Sequence, residues 1–193
     1  MTDQPKILAF AGSTRRESWN KKLIRVAAKG AEDAGAAVTL VDLADFPMPM
    51  YDGDLEVQKG IPEKGREFKK LLREHHGFLM SCPEYNSSVS GVLKNAIDWA
   101  SRREGDEKPL ECFRGKLVCL MSASPGRLGG LRGLVHVRAI LGNIGCIVLP
   151  NQVAVSSANE AFDADGRLRD ESQREQVEKL GSELAGMIVK LVQ

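Results

Sequence analysis

The feature that most constrains this chain is an alternation. Five short apolar runs, each closed by turn residues, are separated by stretches whose apolar residues recur at helical spacing. The runs are Lys6–Ala11, Ala37–Leu43, Gly77–Cys82, Lys116–Ser122 and Cys146–Val155, the last interrupted by Pro150. Between and after them, helices are predicted over Trp19–Ala34, Glu63–Glu74, Ser90–Arg103 and Leu128–Leu141, and from Asp170 to the end. Apolar strands alternating with helices of this length require a parallel sheet covered on both faces, because a parallel crossover must pass over the sheet. The segment from Phe46 to about Pro62, rich in Pro, Met, Gly and Asp, reads as a loop.

With 193 residues, no internal repeat and no linker-like shift in composition, the chain is expected to form one domain over 1–193. Lys and Arg total 27 against 26 for Asp and Glu, a net charge of +1. That balance carries no footprint of nucleic acid or an anionic membrane as principal partner. No apolar run approaches the roughly 20 residues that a bilayer demands. The opening MTDQPKILAF, with an acid at Asp3, does not read as a signal peptide. Cys82, Cys112, Cys119 and Cys146 show no CxxC pair, so they read as reduced, mostly buried thiols of a cytoplasmic protein.

In open parallel sheets, ligands bind beyond the carboxyl ends of the strands, where strand order reverses. Three loops there carry candidate chemistry. The first, Gly12-Ser13-Thr14-Arg15-Arg16-Glu17-Ser18-Trp19-Asn20, places three hydroxyls and two arginines before a helix start, a setting suited to phosphate. It is neither a Walker A loop nor GxGxxG, and an ordinary capped helix with Ser18 as N-cap fits it equally well. The second, Pro83-Glu84-Tyr85-Asn86-Ser87-Ser88, follows a strand that Pro83 must end and offers an aromatic ring and an amide to a flat heteroaromatic ligand. The third, Ser122 to Gly130, has Ser and Gly positions that permit close backbone approach, or simply a flexible loop. His75, His76 and His136 lack neighbouring ligands at metal spacing, and no GxSxG elbow occurs. No metal site is expected. Arg127, Arg132 and Arg138 read as solvated surface or a subunit contact.

Taken together, GSTRRESWN at 12–20, PEYNSSVSGVLKNAIDWAS at 83–101 and SPGRLGGLRG at 124–133 resemble the NADPH-dependent FMN reductase family. That family comprises flavodoxin-like reductases of quinones, azo dyes, chromate and free flavin. The resemblance implies a flavodoxin-like, doubly wound parallel five-stranded sheet with helices on both faces. It implies FMN as cofactor and NAD(P)H as cosubstrate, with hydride passing through the flavin by a ping-pong mechanism to a small-molecule acceptor. Ser13, Arg15, Ser18 and Asn20 would hold the FMN phosphate, with Trp19 beside them. Pro83, Glu84, Tyr85 and Asn86 would line the isoalloxazine, Tyr85 against its face, and Ser122, Ser124 and Gly126 would approach from the other side. No protein side chain would be catalytic, because the flavin carries the chemistry. Homodimers or homotetramers are implied, with the helix carrying Leu93 to Trp99 in a subunit contact. The charged link from Arg102 to Phe113 departs from the family pattern. Competing readings are a flavodoxin-type electron carrier without nicotinamide turnover and an anion-binding α/β module without a redox role.

Overall fold

A computed structural model describes residues 4–192 of the chain. In chain order its elements are β1 (Lys6–Ala11), α1 (Trp19–Asp33), β2 (Ala37–Asp42), a short 3-10 turn (Leu43–Asp45), α2 (Gly53–Lys59) and α3 (Glu63–Glu74). They continue with β3 (Gly77–Ser81), β4 (Glu84–Tyr85), β5 (Ser88–Val89), α4 (Gly91–Ala100), β6 (Leu117–Ala123) and α5 (Leu131–Asn143). The last are β7 (Ile147–Val155), α6 (Ala158–Ala161) and α7 (Glu171–Val192).

Five strands form one parallel sheet in the order β2-β1-β3-β6-β7. The chain steps from β1 outward to β2 and then returns past β1 to β3, so strand order reverses between β1 and β3. Their carboxyl ends are therefore where a crevice must open. Side-chain alternation divides the core in two. Ile7, Ala9 and Cys119 face Leu23, Ala27, Leu180 and Leu184 of α1 and α7. Leu8, Phe10 and Leu120 face Phe68, Leu93, Ala96 and Val137 of α3, α4 and α5.

Three differences from the sequence reading have physical causes. The supposed loop after β2 contains α2, started by Asp52, whose side chain accepts from the amides of Asp54 and Leu55, and ended at Gly60. Seven residues are too short for a periodic apolar stripe to show. Pro150 does not break β7 but sits in a bulge, where the register jumps from Val118↔Val148 to Leu120↔Gln152. As an edge strand, β7 tolerates the missing donor. Arg138 is committed there: its guanidinium donates to the Leu149 carbonyl at 2.9 Å and to Gln152 Oε1 at 2.9 Å. Finally, helical spacing puts Leu191 on one stripe with Val177, Leu180, Leu184 and Ile188, yet it is 58 % exposed, so the apolar face of α7 ends at Ile188.

Candidate functional site

At the reversal point, the loops after β1, β3 and β6 enclose a cavity of about 200 Å³. It is lined by Arg15, Ser18, Trp19, Asn20, Pro83, Glu84, Tyr85, Ala123, Ser124 and Pro125. Eight of these were expected from sequence; Ala123 and Pro125 were not, because a carbonyl-bearing alanine carries no chemical signature.

Arg15 is exposed and its guanidinium lies 5.7 Å from the centre of the Trp19 ring, a cation–π distance. Ser13 is buried, and its hydroxyl accepts from the Arg15 amide at 3.3 Å. Ser18 occupies the N-cap position of α1, yet its hydroxyl makes no capping bond among the described residues, and the first turn holds no acid. The other loop-facing helices differ: Ser90 caps α4, accepting from the Leu93 amide, while its hydroxyl donates to the Gly12 carbonyl at 2.6 Å. The α1 terminus thus keeps its partial positive charge and first-turn amides directed at the cavity, with neither a capping hydroxyl nor an acid upon them. Among the described residues, this is the structural feature that suits a phosphate best.

Asn20 is placed differently from a ligand that projects into solvent. It is 4 % exposed, and its amide is spent within the protein. Nδ2 donates to the Ala123 carbonyl at 2.9 Å, while Oδ1 accepts from the Ala123 amide at 3.0 Å and from the Ser81 hydroxyl at 2.9 Å. One side chain therefore ties the start of α1 to the ends of β3 and β6.

The second loop is a hairpin. β4 and β5 pair antiparallel, Glu84 opposite Val89 and Tyr85 opposite Ser88. The two residues between them, Asn86 and Ser87, both have positive φ, at 49° and 65°. That is the geometry of a two-residue primed turn, where Asn is well tolerated and Ser less so. The turn presents Tyr85 at the cavity rim, half exposed. Asn86 does not line the cavity. The Glu84 carboxylate turns to α5, accepting from the Gly133 amide at 2.9 Å and from Arg132 Nη2 at 2.7 Å. Burial pushes this carboxyl up, but the Gly133 amide and the Arg132 guanidinium outweigh it and hold the group below the ordinary glutamate value.

On the third loop, Ser124 lines the cavity and its hydroxyl accepts from the Gly126 amide at 3.3 Å. Ser122 stands behind the loop rather than in the cavity. It is fully buried, its hydroxyl has no partner among the described residues, and it lies against Gly130, where an added methyl would come within 1.9 Å. Asp42, at the end of β2, caps the 3-10 turn through the Ala44 amide and pairs with Lys21 at 2.5 Å.

The family model described as NADPH-dependent FMN reductase matches residues 5–160. An NAD(P)H-dependent FMN reductase of Pseudomonas aeruginosa is 37 % identical over 180 residues, covering 93 % of this chain and 92 % of that protein. An NAD(P)H:quinone oxidoreductase of Solanum tuberosum is 33 % identical over 198 residues, covering 99 % and 97 %. Among solved structures, the flavoenzyme NAD(P)H:(acceptor) oxidoreductase FerB of Paracoccus denitrificans superposes with a TM-score of 0.80 at 28 % identity, covering 96 % and 98 %. The sheet order, the cavity at its reversal point and a match across more than three-quarters of the chain converge: this protein belongs to the NADPH-dependent FMN reductase family.

Proposed function

We propose that the chain, acting as one domain over 1–193, is an FMN-dependent NAD(P)H oxidoreductase. It would pass reducing equivalents by a ping-pong sequence to a small acceptor of the quinone, azo, metal-oxyanion or free-flavin class. The observation that carries the reading is the α1 N-terminus, left without a side-chain cap and aimed into a cavity rimmed by Tyr85. Such a terminus complements a phosphate, and an aromatic rim complements a flat ring, so the residues present fit FMN. When bound, FMN supplies the acceptance and release of hydride.

The chain supplies binding and orientation. The Ser13 and Ser18 hydroxyls and the first-turn amides of α1 hold the phosphate, and Arg15 swings from Trp19 to add charge. Pro83 and Glu84 shape one wall, with Asn86 in the turn behind it, and Tyr85 packs on the ring, while the Ser124 side chain, braced by the Gly126 amide, closes in from the opposite loop. Asn20 acts by holding the α1 start against β3 and β6. Ser122 acts from behind the loop, where its small side chain admits Gly130. No side chain need exchange a proton with the reductant.

Leu128, Leu131 and Val135 are exposed apolar residues around the start of α5, which supports assembly into a homodimer or homotetramer. Four buried, unpaired thiols support a cytoplasmic location. Among the described residues no helix is long and apolar enough to cross a membrane.

The test is the visible spectrum of the purified protein before and after anaerobic NADPH. Flavin bands that bleach are expected. Bands that persist with NADPH and NADH would indicate an electron carrier instead. No uptake of added FMN would overturn the cofactor assignment.

A further inference from the structure

We infer that Glu84 is a positioning residue: its carboxylate caps α5 and thereby clamps the Tyr85 hairpin against the helix that follows the opposite loop. This deepens the reading above, since it concerns the wall of the same cavity. The clamp has three parts. Glu84 Oε2 accepts from the Gly133 amide at 2.9 Å, in the first turn of α5. Oε1 accepts from Arg132 Nε at 3.0 Å and Nη2 at 2.7 Å, a forked contact with one oxygen. The Glu84 side chain is 8 % exposed against 58 % for Arg132, so the carboxylate is the enclosed partner.

Glycines make the approach possible. A methyl added at Gly133 would lie 3.2 Å from Glu84 Cβ and 3.3 Å from the Ser88 carbonyl. One added at Gly130 would lie 3.5 Å from Glu84 Cβ. Further along, the Ser88 hydroxyl meets His136 Nδ1 at 2.9 Å. The hairpin is thus held to α5 at both its strands, and α5 follows directly on the loop that carries Ser124 and Gly126. Between the two anchors stand Asn86 and Ser87 at positive φ, a turn that costs energy for a serine and needs anchorage. α5 itself starts at Gly130, which has no side chain to cap it, so a carboxylate from another loop takes that role. The two loops flanking the cavity are therefore joined through α5, with the Glu84 carboxylate as the charged, enclosed link and Ser88–His136 as the second anchor. The gap between Tyr85 and the Ser124 loop is set by this junction.

The test uses the full chain, with and without FMN, as wild type, Glu84→Gln and Arg132→Gln. In FMN-free Glu84→Gln, hydrogen exchange of residues 84–89 should quicken about tenfold, as expected for lost charge-assisted bonds, while β1 and β3 keep wild-type rates. The FMN dissociation constant should rise by about tenfold, by the same reasoning. The fluorescence of bound flavin, read at protein concentrations that leave no free FMN, should increase, because a loosened Tyr85 quenches less. Arg132→Gln, which leaves the Gly133 amide bond in place, should show smaller changes in the same directions. Wild-type exchange rates in the hairpin of Glu84→Gln would overturn the clamp. Faster exchange with unchanged affinity and fluorescence would overturn the positioning role. If Glu84→Gln does not fold, Arg132→Gln takes its place: faster hairpin exchange with weaker FMN binding supports the clamp, and wild-type values of both overturn it. A wild-type protein that takes up no FMN would overturn the flavin reading and the positioning role with it, whereas the exchange measurement would still decide the clamp.

Discussion

Asn20 shows how far a residue's chemistry depends on partners distant in the chain. The family resemblance implies that Asn20 is a phosphate ligand, one of four around the start of α1. Its actual partners, Ser81 and Ala123, are 61 and 103 residues away, and no local pattern encodes them. Removing the amide leaves the Ala123 amide and carbonyl without their buried partner. Asn20→Ala should therefore destabilise the FMN-free protein by about 3 kcal/mol, read as a lower urea midpoint with unchanged slope. Arg15→Ala should behave oppositely. Its side chain is exposed and engages only the Trp19 ring among the described residues, so stability should hold while FMN retention on desalting falls. Full flavin occupancy in Arg15→Ala would contradict the phosphate role assigned to it.

At the scale of elements, the charged link between α4 and β6 becomes intelligible. Its unusual charge has a use inside the same chain. Arg66 Nε donates to both Glu104 oxygens at 2.8 and 2.9 Å, and Lys69, 1 % exposed, donates to Glu107 at 2.5 Å and to the Arg102 carbonyl at 2.7 Å. Arg73 also pairs with Glu107. The link is docked on α3, and a lysine this deeply buried is acceptable only because it is paired. The Arg66 contact holds Glu104 below its ordinary value. For Glu107, burial pushes upward, but the bonds from Lys69 and the Glu104 amide prevail and lower it. Carboxyls depressed in the folded state stabilise fully above the unfolded value of 4.5, and that stabilisation is lost as pH falls through the folded values. Urea midpoints measured from pH 7 down to acid should thus fall less steeply in Glu107→Gln than in wild type. A second element-level constraint lies between α1 and α7. A methyl at Gly181 would come within 2.0 Å of the Ala27 carbonyl, a backbone atom that cannot yield. Gly181→Ala should force the helices apart and cost about 3 kcal/mol, at the upper end for overpacking, seen as a lower thermal midpoint.

For the molecule as a whole, burial controls its thiol chemistry. Cys82 and Cys119 have no exposed surface, and Cys112 and Cys146 very little. Desolvation pushes Cys112 up to about 11 and both Cys119 and Cys146 up to about 12, with Cys82 shifted further in the same direction. Few thiolates exist at neutral pH under these conditions, and none is reachable. Native protein should leave a disulfide reagent unreacted at pH 8, with all four thiols appearing only on unfolding. Rapid reaction of one thiol in the native state would show that its side chain opens to solvent.

The alternation of strand and helix, the end of each strand and the loops able to bear a ligand were all legible in the sequence. Apolar periodicity, proline and glycine act over a few residues, and the chain displays them directly. Short elements escaped because α2 and the β4–β5 hairpin are shorter than the window in which a period is visible. What tertiary structure alone decided is which polar groups meet. The sheet order brings residues from β1, β3 and β6 to one edge, and there it assigns Asn20 to Ala123, Glu84 to the start of α5, and Ser122 to the underside of Gly130. Arginines that read as surface, Arg132 and Arg138, turn out to hold a hairpin and a bulge. The physical reason is range. Hydrophobic pattern is a property of neighbours along the chain, whereas a hydrogen bond is made by whatever the fold places within roughly 3 Å.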